Sequence, residues 1–174
     1  DHYIRGGASG TGMGTNWTNA CAGFTGACSV GSLVRGDTYW LASGSYGSIT
    51  FSTSESGTSV ITIESATAAN HGPATDWSSS FAGVANFGAL SFVTSYWTLN
   101  GQTANADMVS GYNIKVTGNP AITLGTSSQK TGLTISYVEA LGNSAGSGTE
   151  NINQFPINNS TISHNYLHDA SCDT

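Results

Sequence analysis

The chain has 174 residues, a formal net charge of −6, 38% hydrophobic and 10% aromatic residues, and only 8% charged residues. Its apolar and aromatic content argues against a disordered low-complexity chain, and its negative charge disfavours nucleic acid and other anionic polymers as partners. No run of about 18 apolar residues marks a membrane span, and the length fits a single domain over residues 1–174.

Taken from the amino terminus, Tyr3-Ile4 reads as a first strand, followed by a glycine-rich run from Gly6 to Gly14. That run contains Gly10-Thr11-Gly12, but Thr15 stands where the dinucleotide fingerprint needs its third glycine, and no Lys-Ser or Lys-Thr follows. It reads as a loop rather than a phosphate cradle. Thr15 or Asn16 is placed to cap a short helix over 15–22, a cover for an otherwise open end of a repeat structure. Cys21 and Cys28 flank a Gly-rich turn and are expected to form a disulfide, leaving Cys172 as a free thiol or an intermolecular contact. With no initiator Met and no signal segment, the chain is expected to be the mature form of an exported protein.

From residue 38 onward a pattern recurs. Ile61-Thr62-Ile63-Glu64, Trp97-Thr98-Leu99-Asn100, Leu133-Thr134-Ile135-Ser136 and Ser160-Thr161-Ile162-Ser163 each place a threonine before an apolar residue, with steps of 36, 36 and 27 residues. Alternation of this kind marks strands with one buried face, and a repeat of this length marks a solenoid. A second series interleaves with it: Ile49-Thr50-Phe51, Leu90-Ser91-Phe92, Ile122-Thr123-Leu124 and Phe155-Pro156-Ile157. No amphipathic helix lies between the two series. The four threonines are expected to stack in one outward column, with Ile63, Leu99, Ile135 and Ile162 stacked inside.

Several segments together carry a resemblance. Tyr3-Ile4-Arg5 with its Gly/Ser loop, Asn16-Trp17-Thr18-Asn19-Ala20, Leu33 to Tyr39 followed by Gly44-Ser45-Tyr46, and the closing Thr161 to Asp169 are similar to secreted right-handed parallel β-helix proteins of the pectate-lyase-like superfamily. The resemblance implies an all-β fold: a right-handed parallel β-helix (solenoid) of about four coils, with an N-terminal strand, loop and cap region over 1–37 and coils over 38–174. Right-handedness is also the strong preference of parallel crossovers. The resemblance further implies that Asn165 sits in a corner ladder, and it places the protein outside the cell or on its surface. The superfamily holds polysaccharide lyases and hydrolases, adhesins and surface proteins, so fold alone does not select an activity.

The residues themselves point to no catalytic group. Arg35 reads as structural, pairing with Asp37 or a backbone carbonyl. Lys115, between Ile114 and Val116, points outward from a strand, and Lys130 lies in the polar run from Gly125 to Gly132, read as a solvated loop. The acidic residues are dispersed along the chain and form no calcium loop. On an unbroken strand His164 and His168 would share a face, with Asp169 or Asp173 adding an oxygen to a metal set, whereas a turn at Asn165 would separate the imidazoles. Tyr46 and Trp77, flanked by Gly and Ser, are candidate exposed platforms for a sugar, while Trp97 belongs in the core. No cofactor is implied. The favoured expectation is an extracellular structural protein that self-associates end to end, as a homo-oligomer or filament, through its solenoid ends. The alternative is a polysaccharide-binding or polysaccharide-cleaving (lyase or hydrolase) β-helix protein, or a fragment of a longer one.

Overall fold

A computed structural model describes residues 1–142 and 151–169. The strands in chain order are β1 (His2–Ile4), β2 (Thr38–Leu41), β3 (Gly44–Phe51), β4 (Ile61–Ser65), β5 (Ala85–Phe92), β6 (Trp97–Asn100), β7 (Ile114–Gly118) and β8 (Ile122–Leu124). They continue as β9 (Lys130–Thr131), β10 (Leu133–Ser136), β11 (Val138–Gly142), β12 (Ile152–Gln154), β13 (Ile157–Asn158), β14 (Thr161–Ser163) and β15 (Tyr166–His168). The described helices are two single turns, Gly26–Cys28 and Ser79–Phe81, so the fold is all-β.

Pairing between these strands is parallel throughout. The first sheet runs β1-β2-β4-β6-β10-β14, so each return of the chain adds the next strand beside the last. The second runs β12-β8-β5-β7-β11-β15, with β3 also on β5, and a small third sheet joins β13 to β9. Strand β5 is long enough to serve two neighbours. Its Ala85–Phe87 half pairs with β7 and its Leu90–Phe92 half with β8.

Register in the first sheet follows the threonine pattern. Thr62, Thr98, Thr134 and Thr161 are direct partners along the sheet, and Thr38 joins them as a fifth member. Ile63, Leu99, Ile135 and Ile162 stack beside them, the first three fully buried and Ile162 packed on the same core. The core between the sheets is rich in stacked rings: Phe51 lies on Phe92 at 4.9 Å, and Trp97 lies 5.1 Å from Phe51. Such pairs add about 1 kcal/mol each beyond the area they bury. The second series holds for three members. Ile152-Asn153-Gln154, not Phe155-Pro156-Ile157, pairs with Ile122-Thr123-Leu124. Proline lacks the N–H that an interior ladder needs, and Ile157 pairs instead with Lys130. Lys130 therefore sits on a strand and not in a solvated loop.

The expected helix over 15–22 is absent. Those residues form turns and bends up to Cys21, which makes a parallel β-bridge with Ile4. The Asn16 side chain accepts from the Asn19 amide at 2.8 Å, which closes a turn in place of a helical cap. Trp17 is fully buried against Tyr3, Trp77 and Phe81, so packing rather than helical hydrogen bonding holds the segment. The Cys21–Cys28 disulfide is formed. Gly14 lies under it at φ 73°, where an added Cβ would come within 3.0 Å of Cys28 Sγ and 3.1 Å of Cys21 Sγ. Reduction is expected to cost about 2.5 kcal/mol, from the chain entropy of so short a loop. Urea unfolding with and without reductant measures it, and an unchanged midpoint would contradict it.

Candidate functional site

Strands β7, β11 and β15 alternate, sending Ile114, Val116, Val138 and Ala140 fully into the core and the residues between them outward. Parallel register then sets Lys115 beside Glu139 and Glu139 beside Tyr166, although 24 and 27 residues separate them in the chain. Their side chains meet. Lys115 Nζ donates to Glu139 Oε1 at 3.0 Å, and His168 Nε2 lies 3.1 Å from the same oxygen. His168 Nδ1 lies 2.9 Å from Asp169 Oδ2. An imidazole between two carboxylates can donate from both nitrogens only as the imidazolium.

Aromatic rings border this chain of charges. Tyr166 stacks on His168 at 4.2 Å, and Tyr112 lies nearly parallel to Tyr166 at 6.4 Å, with its hydroxyl donating to the Met108 carbonyl. Glu139 is 19% and His168 22% exposed, so the network is partly sheltered from solvent. Lys115 offsets only one of the two carboxylates, Glu139 and Asp169. The result is an outer face on which the partly exposed Tyr166 stands beside fixed donors and acceptors, while Tyr112 is buried.

The expected metal set is not assembled. His164 takes a φ of 55° at the end of β14, and its ring stacks on Tyr137 at 5.0 Å, away from the His168–Asp169 contact. The turn falls at His164 and is anchored by Asn165, whose Nδ2 donates to the Ile135 carbonyl and whose Oδ1 accepts from the Val138 amide. That side chain ties the corner to the preceding strands and breaks the alternation that would have aligned the histidines. Among the described residues no group of three His, Cys, Asp or Glu is arranged to hold a metal ion. Asp173 and Cys172 lie outside the described residues.

Tyr46 is on β3 and not in a loop. Its ring packs between Phe24 and Phe87, its hydroxyl donates to the Ala42 carbonyl at 2.8 Å, and burial pushes its pKa up to about 12. It is not an exposed platform. Trp77 is half-buried, with its edge toward Trp17 and its face against His71 at 4.5 Å, so that face is already occupied.

Next to Trp77 lies an open cleft of ≈ 660 Å³ lined by residues that include Tyr3, Asn16, Thr18 and Asp76. Burial raises the Asp76 carboxyl, but hydrogen bonds from Thr18 and Trp17 more than offset it and leave it below the usual carboxylate range. Asp76 thereby latches the N-terminal loop and is spent on structure. Arg5 is spent likewise: its Nε donates to the Trp17 carbonyl and its guanidinium lies over Phe81. Arg35 bonds to backbone carbonyls rather than to Asp37.

Sequence reasoning singled out His168, Asp169 and an outward Lys115, but missed Glu139, Tyr112 and Tyr166 as their neighbours. The signal was present in the alternation of Ile114 to Val116 and Val138 to Ala140, and needed only the register that pairs them. No described protein family, curated protein or solved structure matches the chain.

Proposed function

We propose that the protein is an extracellular right-handed parallel β-helix of about four coils, a single domain that binds a neutral polysaccharide along the outer face of its second sheet. The observation that carries the reading is the Lys115–Glu139–His168–Asp169 network with the partly exposed Tyr166 ring beside it. The Tyr166–His168 stack offers an apolar rim against which a pyranose packs, and fixed polar groups orient its hydroxyls. Neighbouring strands are about 4.8 Å apart, close to the length of one sugar unit, so a polymer lying across them meets the same row of strands once per residue. Two carboxylates against one lysine in the network, with a net charge of −6, favour neutral over anionic chains. The disulfide supports an extracellular setting.

Binding to immobilised neutral glycans is the test. Tyr166→Ala is expected to weaken binding about tenfold, the loss of one ring contact worth roughly 1.4 kcal/mol, and Glu139→Gln should weaken it by releasing Lys115 and His168. Assaying the same glycans for released fragments separates a binding module from an enzyme. Cleavage abolished by Glu139→Gln would make the network catalytic, and binding indifferent to both substitutions would remove it from consideration.

A second reading, end-to-end self-association, is favoured by a different observation. Among the described strands, β14 and β15 are hydrogen-bonded on one side only, and Leu167 on β15 is 44% exposed. Edges of this kind are templates for another chain, and a contact that does not close into a ring builds a filament. Light scattering against concentration tests it: growth beyond the monomer that Leu167→Lys suppresses is the expected result, and a monomer at all concentrations would exclude it.

A further inference from the structure

The threonine column on the first sheet lies on a different face from the proposed glycan network and is left without a role by it. Thr38, Thr62, Thr98, Thr134 and Thr161 are consecutive register partners across five parallel strands. Thr161 is exposed and the other four are partly exposed, as outward side chains on a sheet are. Among the described residues none of the five hydroxyls has a hydrogen-bond partner. That sets them apart from the next outward row, where Asn100 Nδ2 donates to Glu64 and Ser136 Oγ donates to Asn100. One row satisfies itself; the threonine row does not.

Parallel strands hold these side chains about 4.8 Å apart, and β-branching leaves threonine few χ1 choices, so hydroxyl and methyl repeat together at fixed intervals. This interval is close to the repeat of water oxygens along the basal direction of hexagonal ice. A row of fixed hydroxyls can take lattice positions, while the methyls between them disfavour disordered water. The two rows carry a single carboxylate, Glu64, and no cation, so little of the face holds the tight hydration shell that a charge would impose. We propose that this face binds ice through the Thr38–Thr62–Thr98–Thr134–Thr161 column.

The test is to grow a seeded ice crystal in solutions of the folded protein at millimolar concentration, reading thermal hysteresis and crystal shape. The wild-type chain is expected to shape the crystal, and Thr98→Lys, which sets a long hydrated cation in the middle of the column, is expected to abolish the effect. Val109→Lys, on an exposed loop, should leave it unchanged. Circular dichroism confirms that each variant is folded. If Thr98→Lys does not fold, Thr98→Ser keeps the hydroxyl, removes the methyl and should reduce hysteresis several-fold. Absence of shaping by the wild-type protein overturns the proposal. So does hysteresis that survives in folded Thr98→Lys or is unchanged in Thr98→Ser. Loss of glycan binding in Thr98→Lys without any effect on ice would assign the column to the polymer instead.

Discussion

Replacing Trp97 with alanine is expected to lower stability by about 4 kcal/mol, in the range found for large aromatic deletions from packed cores. Trp97 stands between Ile61 and Leu133 in register and is fully buried. Its ring lies against Phe51 and, at 6.0 Å, Phe92, while its Nε1 donates to Thr94 Oγ1 at 2.9 Å. Deletion therefore opens a cavity between the two sheets, and parallel strands locked in register have little freedom to collapse into it. For a chain of this length the melting temperature should fall by about 12 °C, read from thermal unfolding by circular dichroism. A loss under about 1 kcal/mol would place Trp97 at the periphery.

Arg35 is the other large effect, and it comes from hydrogen bonding rather than volume. Its five N–H groups meet five acceptors: Nε to the Ser54 carbonyl, Nη1 to those of Ser95 and Tyr96, and Nη2 to the Thr53 carbonyl and Thr94 Oγ1. The guanidinium also lies over the Trp97 ring at 4.8 Å. Lysine keeps the charge but has three donors and no planar fork, so at least two of these five hydrogen bonds are lost. Arg35→Lys is expected to cost about 3 kcal/mol, measured by urea unfolding. Because Arg35 and Trp97 touch, the double variant should lose less than the sum of the two singles by about 1 kcal/mol. Strict additivity would show that the stacking contact contributes nothing.

Much of the fold was legible because alternation is local. Thr62, Thr98 and Thr134 announce their strands through the apolar residues on either side, and Trp97 reads as core because it occupies the place of Ile61 and Leu133. Thr38 was missed because within its strand, Thr38–Leu41, it is followed by three buried residues in succession, which lacks the clean alternation. Tyr46 was misplaced because Gly44, Ser45 and Gly47 read as turn residues; the strand accommodates them with register shifts around Gly47, which has a φ of 68°. The short N-terminal helix failed because a capping side chain and an aromatic serve turns as readily as helices. Arg35 was read correctly as structural, but its partners lie 18 to 61 residues away and could not be named. The candidate site was the least legible part. Lys115, Glu139 and His168 come from three different strands, and only the register between those strands makes them neighbours.

That register is the point on which the account turns, and a spin label measures it directly. In a Cys172→Ser background, Lys115→Cys carrying a nitroxide should strongly broaden the amide signals of Asn86 on one side and Glu139 on the other, with Tyr166 next in strength. These residues are its partners along β5, β7, β11 and β15. Broadening confined to residues close in sequence, with Glu139 and Tyr166 untouched, would contradict the parallel stacking and dissolve the candidate site with it.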